Sequence, residues 1–100
     1  MRYTSTRNNS VDISSAQAIK QGLSEEGGLL IPVDIPYFSK EEITSFASMS
    51  YQERAYQVLS QFLTDYSEDE LKDCISRAYS KEKFETEVIA PVYKYSSSVY

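Results

Sequence analysis

Apolar residues recur at helical spacing in three stretches of the chain, and four stretches open with a serine that suits a helix cap. A Ser-x-x-Glu or Ser-x-x-Gln pattern marks a helix N-terminus, because the two side chains satisfy free backbone N–H groups reciprocally. Apolar residues three and four positions apart then share one face of the helix. These signals predict four helices, from about Ser15 to Gln21, Lys40 to Ala47, Tyr51 to Leu63, and Ser67 to Tyr79.

The same spacing predicts which side of three of these helices is buried. The expected inner positions are Ala16, Ile19 and Leu23 in the first helix, Ala55, Val58, Leu59 and Phe62 in the third, and Leu71, Cys74, Ile75 and Ala78 in the fourth. Each large apolar side chain contributes ~1.5–3 kcal/mol when it is fully covered.

Short strands are predicted before and between the helices. Arg2 to Thr6 is rich in β-branched and aromatic residues, which favour strands. Leu29 to Ile31 is an apolar run that is too short for a helix and is bounded by turn residues, as in a buried strand. Pro32 cannot donate to a ladder, so we expect the strand to stop there. The fold class predicted from these elements is α+β.

All three glycines of the chain lie just before that strand. Gly22 follows a helical pattern and suits the left-handed residue that ends a helix. Gly27 and Gly28 are expected to take positive φ at little steric cost, so that the chain turns sharply. A turn of this kind can shape a ligand pocket, but a tight connection is the plainer interpretation.

The last twenty residues change character. Residues 81–87 are charged and are expected to form a linker. Residues 92–95, 96–98 and 99–100 follow a strand, turn, strand pattern. Because a protein rarely ends two residues into a strand, we expect the chain to be the front of a longer protein. The expected division is a helical domain over 1–87 and the start of a connection into a missing catalytic domain over 88–100.

Composition excludes several classes of partner. The chain has 100 residues and a net charge of −5, which disfavours a nucleic-acid or anionic-membrane surface. No signal peptide is expected, because no apolar run follows the charged residues of the N-terminus, and no stretch approaches the ~20 apolar residues of a membrane helix. There is no histidine and only one cysteine, so a metal site is not expected and a cytoplasmic location fits.

No residue in this chain is expected to be catalytic. Neighbouring acids such as Glu25 and Glu26 do not face each other on a helix, and those at helix starts suit the helix dipole. Cys74 lies on a predicted apolar face and is expected to be buried. The lysines lie in polar or charged contexts, which do not lower an amine pKa for Schiff-base chemistry.

Ser5, Thr6 and Arg7 are the candidate substrate-binding residues. Two hydroxyl groups and a guanidinium in a row can bind a phosphate or a carboxylate. The alternative is that the three residues are simply the end of a strand that runs into a polar turn.

The order of these motifs resembles the N-terminal region of threonine synthases. The motifs are Tyr3-Thr-Ser-Thr-Arg7, Gly22-Leu-x-x-Glu-Gly-Gly-Leu29, Pro32-x-x-x-Pro36 and Leu59-Ser-x-Phe-Leu63, and together they span most of the chain. Two positions depart from the family pattern, which often has Gly at position 8 and Asp at position 26. Here the residues are Asn8 and Glu26.

The resemblance implies an enzymatic activity for the whole protein and a structural role for this chain. Threonine synthases use pyridoxal phosphate (PLP) to convert O-phosphohomoserine and water to threonine and phosphate. The family motif that carries the PLP lysine is absent here. The resemblance therefore implies that the chain binds no PLP, caps the catalytic domain and covers part of the active-site rim, where Ser5, Thr6 and Arg7 reach substrate.

A small acidic helical interaction module, without enzymatic activity, is the alternative hypothesis. If the catalytic domain is missing, the isolated chain is expected to self-associate, or to order its tail against a neighbour, through residues 88–100, because apolar side chains and unpaired strand groups recruit other chains. The codons that follow Tyr100 distinguish the two hypotheses.

Overall fold

A computed structural model of the chain describes residues 1–84 and 87–100, and its N-terminal third forms a three-stranded antiparallel sheet. The central strand β1 (Arg2–Ser5) lies between β2 (Ile13–Ser14) and the edge strand β3 (Leu30–Pro32). Together with four α-helices, this sheet confirms the α+β class. β2 was not predicted, because a pair of residues that ends at the helix cap Ser14 carries no strand pattern of its own.

The four helices agree with the predictions to within one or two residues. They are α1 (Ser15–Gln21), α2 (Lys40–Ser45), α3 (Tyr51–Phe62) and α4 (Glu68–Ala78). The last part of the second predicted helix is a 3₁₀ turn over Phe46–Ser48. Helix ends often tighten into a 3₁₀ turn, so this segment continues the predicted helix.

Serine caps start all four helices. The capping boxes of α2, α3 and α4 are complete, since in each the serine hydroxyl accepts from a glutamate N–H and that glutamate carboxylate accepts from the serine N–H. In α1 the Ser14 hydroxyl accepts from the Gln17 N–H at 3.2 Å, and within the described residues the Gln17 side chain does not complete the box.

The core is formed by residues of β1, α1 and α4. Its most buried apolar residues are Tyr3, Ala18, Leu71 and Ile75. The Tyr3 hydroxyl donates to the carbonyl of Phe62 at 3.0 Å. Burial raises the pKa of the Tyr3 phenol, and the negative charge of Asp65 adds to this effect, so the donor stays protonated at neutral pH.

The loop between α3 and α4 fastens the helices to the N-terminal part. The Asp65 carboxylate accepts from the backbone N–H of Ala16 at 2.9 Å. The Thr64 hydroxyl accepts from the amino group of Met1 at 2.6 Å. This loop therefore holds the start of β1 and the start of α1 together.

Several burial predictions are wrong. Ile19 and Leu23 are more than half exposed, and α1 instead buries Ser15 and Ala18. Leu29 and Ile31 are exposed at the sheet edge. Periodicity identifies an apolar face but does not say whether a neighbour within the chain covers it.

The inner faces of α3 and α4 are only partly as predicted. Leu71 and Ile75 are buried, whereas Cys74 and Ala78 are exposed. The predicted stripe on α3 is incompletely covered, and its Val58 remains 37% exposed. Two helices that pack as a pair cover a narrower face than the predicted stripes, so residues at the edges of each stripe remain open to solvent.

The C-terminal part forms less regular structure than predicted. Residues 81–83 of the predicted linker form a 3₁₀ turn, and residues 85 and 86 of it lie outside the described part of the chain. The predicted strand at 92–95 is wrong. A turn at residues 97–98 is closed by one bridge between Ser96 and Val99, and an isolated pair of strands is marginal without a third.

None of the helices in the described ranges is long and apolar enough to cross a membrane.

Candidate functional site

The end of β1 and the turn that precedes β3 face each other, and the three candidate substrate-binding residues lie between them. Thr6 joins the two segments through its backbone and its side chain. Its N–H donates to the Leu29 carbonyl at 2.9 Å, and its hydroxyl oxygen accepts from the Leu29 N–H at 2.9 Å. Thr6 therefore extends the pairing of β1 with β3 by one residue.

Glu26 is the centre of this site. Its carboxylate accepts from the hydroxyl group of Ser5 and, at 2.6 Å, from the hydroxyl group of Ser24. Both serines are buried, whereas Glu26 itself lies at the surface. The hydrogen bond from Ser24, followed by the one from Ser5, lowers the pKa of the Glu26 carboxyl below its usual value, and the charge of Arg7 adds to this effect. The group is therefore ionised at neutral pH.

Arg7 covers the turn from outside. Its backbone N–H donates to Ser5 Oγ at 3.2 Å, and its Nη1 donates to the Glu26 carbonyl at 3.0 Å. A guanidinium has five N–H donors. The structure records no further side-chain hydrogen bond from Arg7 to the described residues. The exposed Arg7 side chain is thus held at one end, and its other donors have no hydrogen-bond partner among the described residues.

Gly27 and Gly28 are favoured at their positions for different reasons. Gly27 has φ +85°, so the predicted positive φ is confirmed there. Gly28 does not have positive φ, and the prediction is wrong at this position. A Cβ on Gly28 would collide with Ser5 Oγ and would lie 3.1 Å from the Arg7 backbone nitrogen. Gly28 is required because the two segments approach closely.

Gly22 and Pro32 mark the two ends of the connection as predicted. Gly22 ends α1 with φ +81°, and its N–H donates to the Ala18 carbonyl at 2.9 Å. Nothing lies within 4 Å of a Cβ built on Gly22, so only its backbone conformation favours glycine. Pro32 is the last residue of β3 and pairs with Tyr3.

The structure thus brings the three predicted residues together but gives them unequal roles. The Ser5 hydroxyl is buried and bonded to Glu26, so it is not free to bind a ligand. Thr6 and Arg7 are exposed. Sequence reasoning missed Ser24 and Glu26. The only local signal was a serine two residues before a carboxylate in a glycine-rich turn, which favours a side-chain hydrogen bond.

The described residues do not fit a PLP site. The lysines whose side chains are described are all exposed, and they are Lys20, Lys40, Lys72, Lys83 and Lys94. The hydrogen bond to Glu68 raises the pKa of Lys72, whereas a Schiff-base lysine needs a lowered one. Gly27 and Gly28 lead into a strand, not into the helix N-terminus that binds phosphate in many proteins.

A groove between α3 and α4 also has charged residues in its lining. Tyr56, Lys72 and Ile75 line it, and Lys72 Nζ lies 5.0 Å from the centre of the Tyr56 ring. Glu68 neutralises this lysine. Among the described residues, no group of acidic and cysteine side chains is arranged to hold a metal ion.

A family model described as the threonine synthase N terminus matches residues 2–79. The chain is 38% identical over 80 residues to the threonine synthase of Schizosaccharomyces pombe, a match that covers 78% of this chain and 16% of that protein. It is 32% identical over 100 residues to the threonine synthase of Serratia marcescens, covering 99% of this chain and 22% of that protein.

Solved structures show the same fold. The PLP-bound threonine synthase of Brucella melitensis gives a TM-score of 0.84 at 28% identity, over 97% of this chain and 21% of that one. The yeast enzyme gives a TM-score of 0.77 at 31% identity, over 86% of this chain and 17% of that one. The chain spans about a fifth of the length of the relatives it matches. It belongs to the threonine synthase N-terminus family.

Proposed function

We propose that the chain is the non-catalytic N-terminal part of a threonine synthase, which converts O-phosphohomoserine and water to L-threonine and phosphate. The observation that carries the proposal is the family match over residues 2–79. The likeness to a PLP-bound threonine synthase over 97% of the chain supports it. We call the threonine synthase that contains this chain the parent enzyme.

In this proposal, PLP is held by the rest of the parent enzyme. When bound, PLP supplies the electron sink that lets the bond to the phosphate group of the substrate break. The exposed lysines of this chain do not suit that role, and its Glu26 is committed to two serine hydroxyls. The contribution of the chain is to cap the catalytic domain, into which residues 88–100 lead, and to cover part of the rim of the active site.

Arg7 and Thr6 are proposed to contact substrate, and Ser5 to act through them. The Glu26 carbonyl holds one side of the Arg7 guanidinium, which leaves other donors free. Guanidinium groups form strong, directed hydrogen bonds to phosphate. Ser5 accepts from the Arg7 N–H and donates to Glu26, so its effect on substrate is one of position.

The test compares the parent enzyme with an Arg7→Lys variant. We expect wild type to release phosphate and form threonine from O-phosphohomoserine, and we expect the variant to show a raised KM with unchanged thermal unfolding. A parent enzyme that forms no threonine contradicts the proposed function. A normal KM in the variant contradicts only the contact of Arg7 with substrate.

The isolated 100-residue chain provides a second test. We expect no stoichiometric PLP absorbance after the cofactor is added and no release of phosphate from O-phosphohomoserine. Borohydride trapping of PLP on one lysine of the chain would contradict this expectation.

We place the parent enzyme in the cytoplasm, a location that the single cysteine supports. The family match favours this enzyme over a free-standing interaction module.

A further inference from the structure

The sheet has one covered face and one open face, and the open face is apolar along β3. Tyr3 and Ser5 point to the covered face and are buried. Because side chains alternate along a strand, residues paired with Thr4 point to the opposite face. Ile31 pairs with Thr4, and Leu29 and Val33 lie two residues to either side of it. Leu23 pairs with Leu29 in an isolated antiparallel bridge and so joins the same side.

We define these residues, Leu23, Leu29, Ile31 and Val33, as the outer face. Their exposed fractions are 55%, 60%, 40% and 51%. Ile31 and Val33 also line a groove with Thr4 and Val11, which places the side chains of the two segments next to one another. The outer face is therefore continuous.

This arrangement differs from an ordinary solvent-facing sheet. An antiparallel sheet with one wet face alternates apolar residues inward and polar residues outward. Here β3 and the residues flanking it carry apolar side chains on the outside. β3 is also an edge strand, whose unpaired backbone groups can accept another chain. A continuous apolar patch on an edge is typical of an interaction surface.

We infer that the outer face is the surface on which the remainder of the parent enzyme packs. The inference rests on the proposed function and names the interface that it requires. The relatives are about five times as long as this chain, so most of a threonine synthase lies beyond the matched part. The net charge of −5 disfavours nucleic acid or an anionic membrane as the occupant. The rest of the same enzyme supplies an apolar partner that is always present.

A matched pair of variants tests this inference. Leu29 belongs to the outer face and is 60% exposed, whereas Ile43 on α2 does not belong to it and is 57% exposed. Leu29→Lys and Ile43→Lys add the same charge at sites of nearly equal exposure. We expect Leu29→Lys to lower the thermal midpoint of the parent enzyme by several degrees and to leave that of the isolated chain unchanged. Ile43→Lys should change neither midpoint.

Other outcomes overturn the inference. Equal midpoints for wild-type and Leu29→Lys parent enzymes would mean that the outer face meets solvent. A fall in the isolated chain would mean that Leu29 stabilises the chain itself. An equal fall for both variants of the parent enzyme would mean that the interface is not specific to this face. Dimers of the isolated chain that Leu29→Lys disrupts, with an unaffected parent enzyme, would assign the face to a second copy.

Threonine formation by the same samples keeps the two proposals distinct. A parent enzyme without synthase activity refutes the proposed function, whereas the shift in thermal midpoint still reports whether the outer face is covered.

Discussion

The helical pair α3–α4 and the sheet–turn unit, which comprises residues 2–33, are stabilised over very different distances along the chain. Each capping box of the helical pair joins residues three apart, as between Ser67 and Glu70. In the sheet–turn unit, Ser5 and Glu26 are 21 residues apart and Leu29 and Thr6 are 23 apart. The first kind of contact is visible in a short stretch of sequence, and the second exists only after the chain has folded back.

The two regions also differ in what they leave exposed. The helical pair places Leu71 and Ile75 in the core. The sheet–turn unit buries Tyr3 on one side and leaves the outer face open. The part with the clearer sequence pattern is held by local contacts, whereas the part with the more distant contacts leaves apolar side chains of β3 open to solvent.

Gly28→Val should have the largest effect and should act on the sheet–turn unit. The new side chain collides with Ser5 Oγ, and overpacking of this kind costs ~3 kcal/mol. Urea unfolding of the parent enzyme measures the loss. Gly22→Ala is the control, because it meets open space and is strained only by its positive φ, at about 1–2 kcal/mol. A Gly28→Val enzyme that unfolds like wild type but binds substrate weakly would make the turn a binding element.

Ser67→Ala should weaken the helical pair by about 1 kcal/mol, because the cap of α4 loses its acceptor. Urea titration followed by far-UV circular dichroism of the isolated chain measures the change. Ser67→Asp is the matched control and should retain most of the stability, since aspartate also caps helices. An unchanged midpoint for Ser67→Ala would show that tertiary contacts, and not local caps, determine the stability of this region.

Acidification should loosen the sheet–turn unit through Glu26. Because the folded pKa of Glu26 is lowered, its contribution to stability is present above the unfolded pKa, near 4.5, and is lost as the pH falls through the folded pKa. The difference in urea midpoint between wild type and Glu26→Gln should therefore shrink below about pH 4.5. A constant difference between pH 7 and pH 3 would contradict this role for the carboxylate.

Removal of residues 88–100 should have the smallest effect on stability. Sedimentation should show that the 100-residue chain self-associates and that a chain ending at Glu87 does not. Far-UV circular dichroism should show the same helix content in both, because the helix caps precede the cut. A monomeric 100-residue chain, or loss of helix after trimming, would contradict this prediction.

The helix boundaries were predictable because caps and apolar spacing are local. Ser39, Ser50 and Ser67 each start a helix where the pattern placed one. The buried face of a helix was harder to predict from the sequence than its boundaries. Ile19 has helical spacing with Leu23, yet both are more than half exposed.

The candidate site was predicted in part for the same reason. Ser5, Thr6 and Arg7 were selected because they are adjacent in sequence and their side chains bind anions. The hydrogen bond from the Ser5 hydroxyl to Glu26 could not be predicted. Neither the sequence around Ser5 nor the sequence around Glu26 indicates that the two segments lie close together. The need for glycine at position 28 was anticipated, but its cause is the proximity of Ser5 and not the backbone angle.

The hydrogen bond from Tyr3 to the Phe62 carbonyl has a consequence for biosynthesis. The two residues are 59 positions apart, so at a translation rate of roughly 5–20 residues per second Tyr3 leaves the ribosome roughly 3–12 s before its partner. During that interval the Tyr3 hydroxyl lacks its acceptor. The inner side of β1 therefore becomes complete only when the segment that ends α3 has emerged.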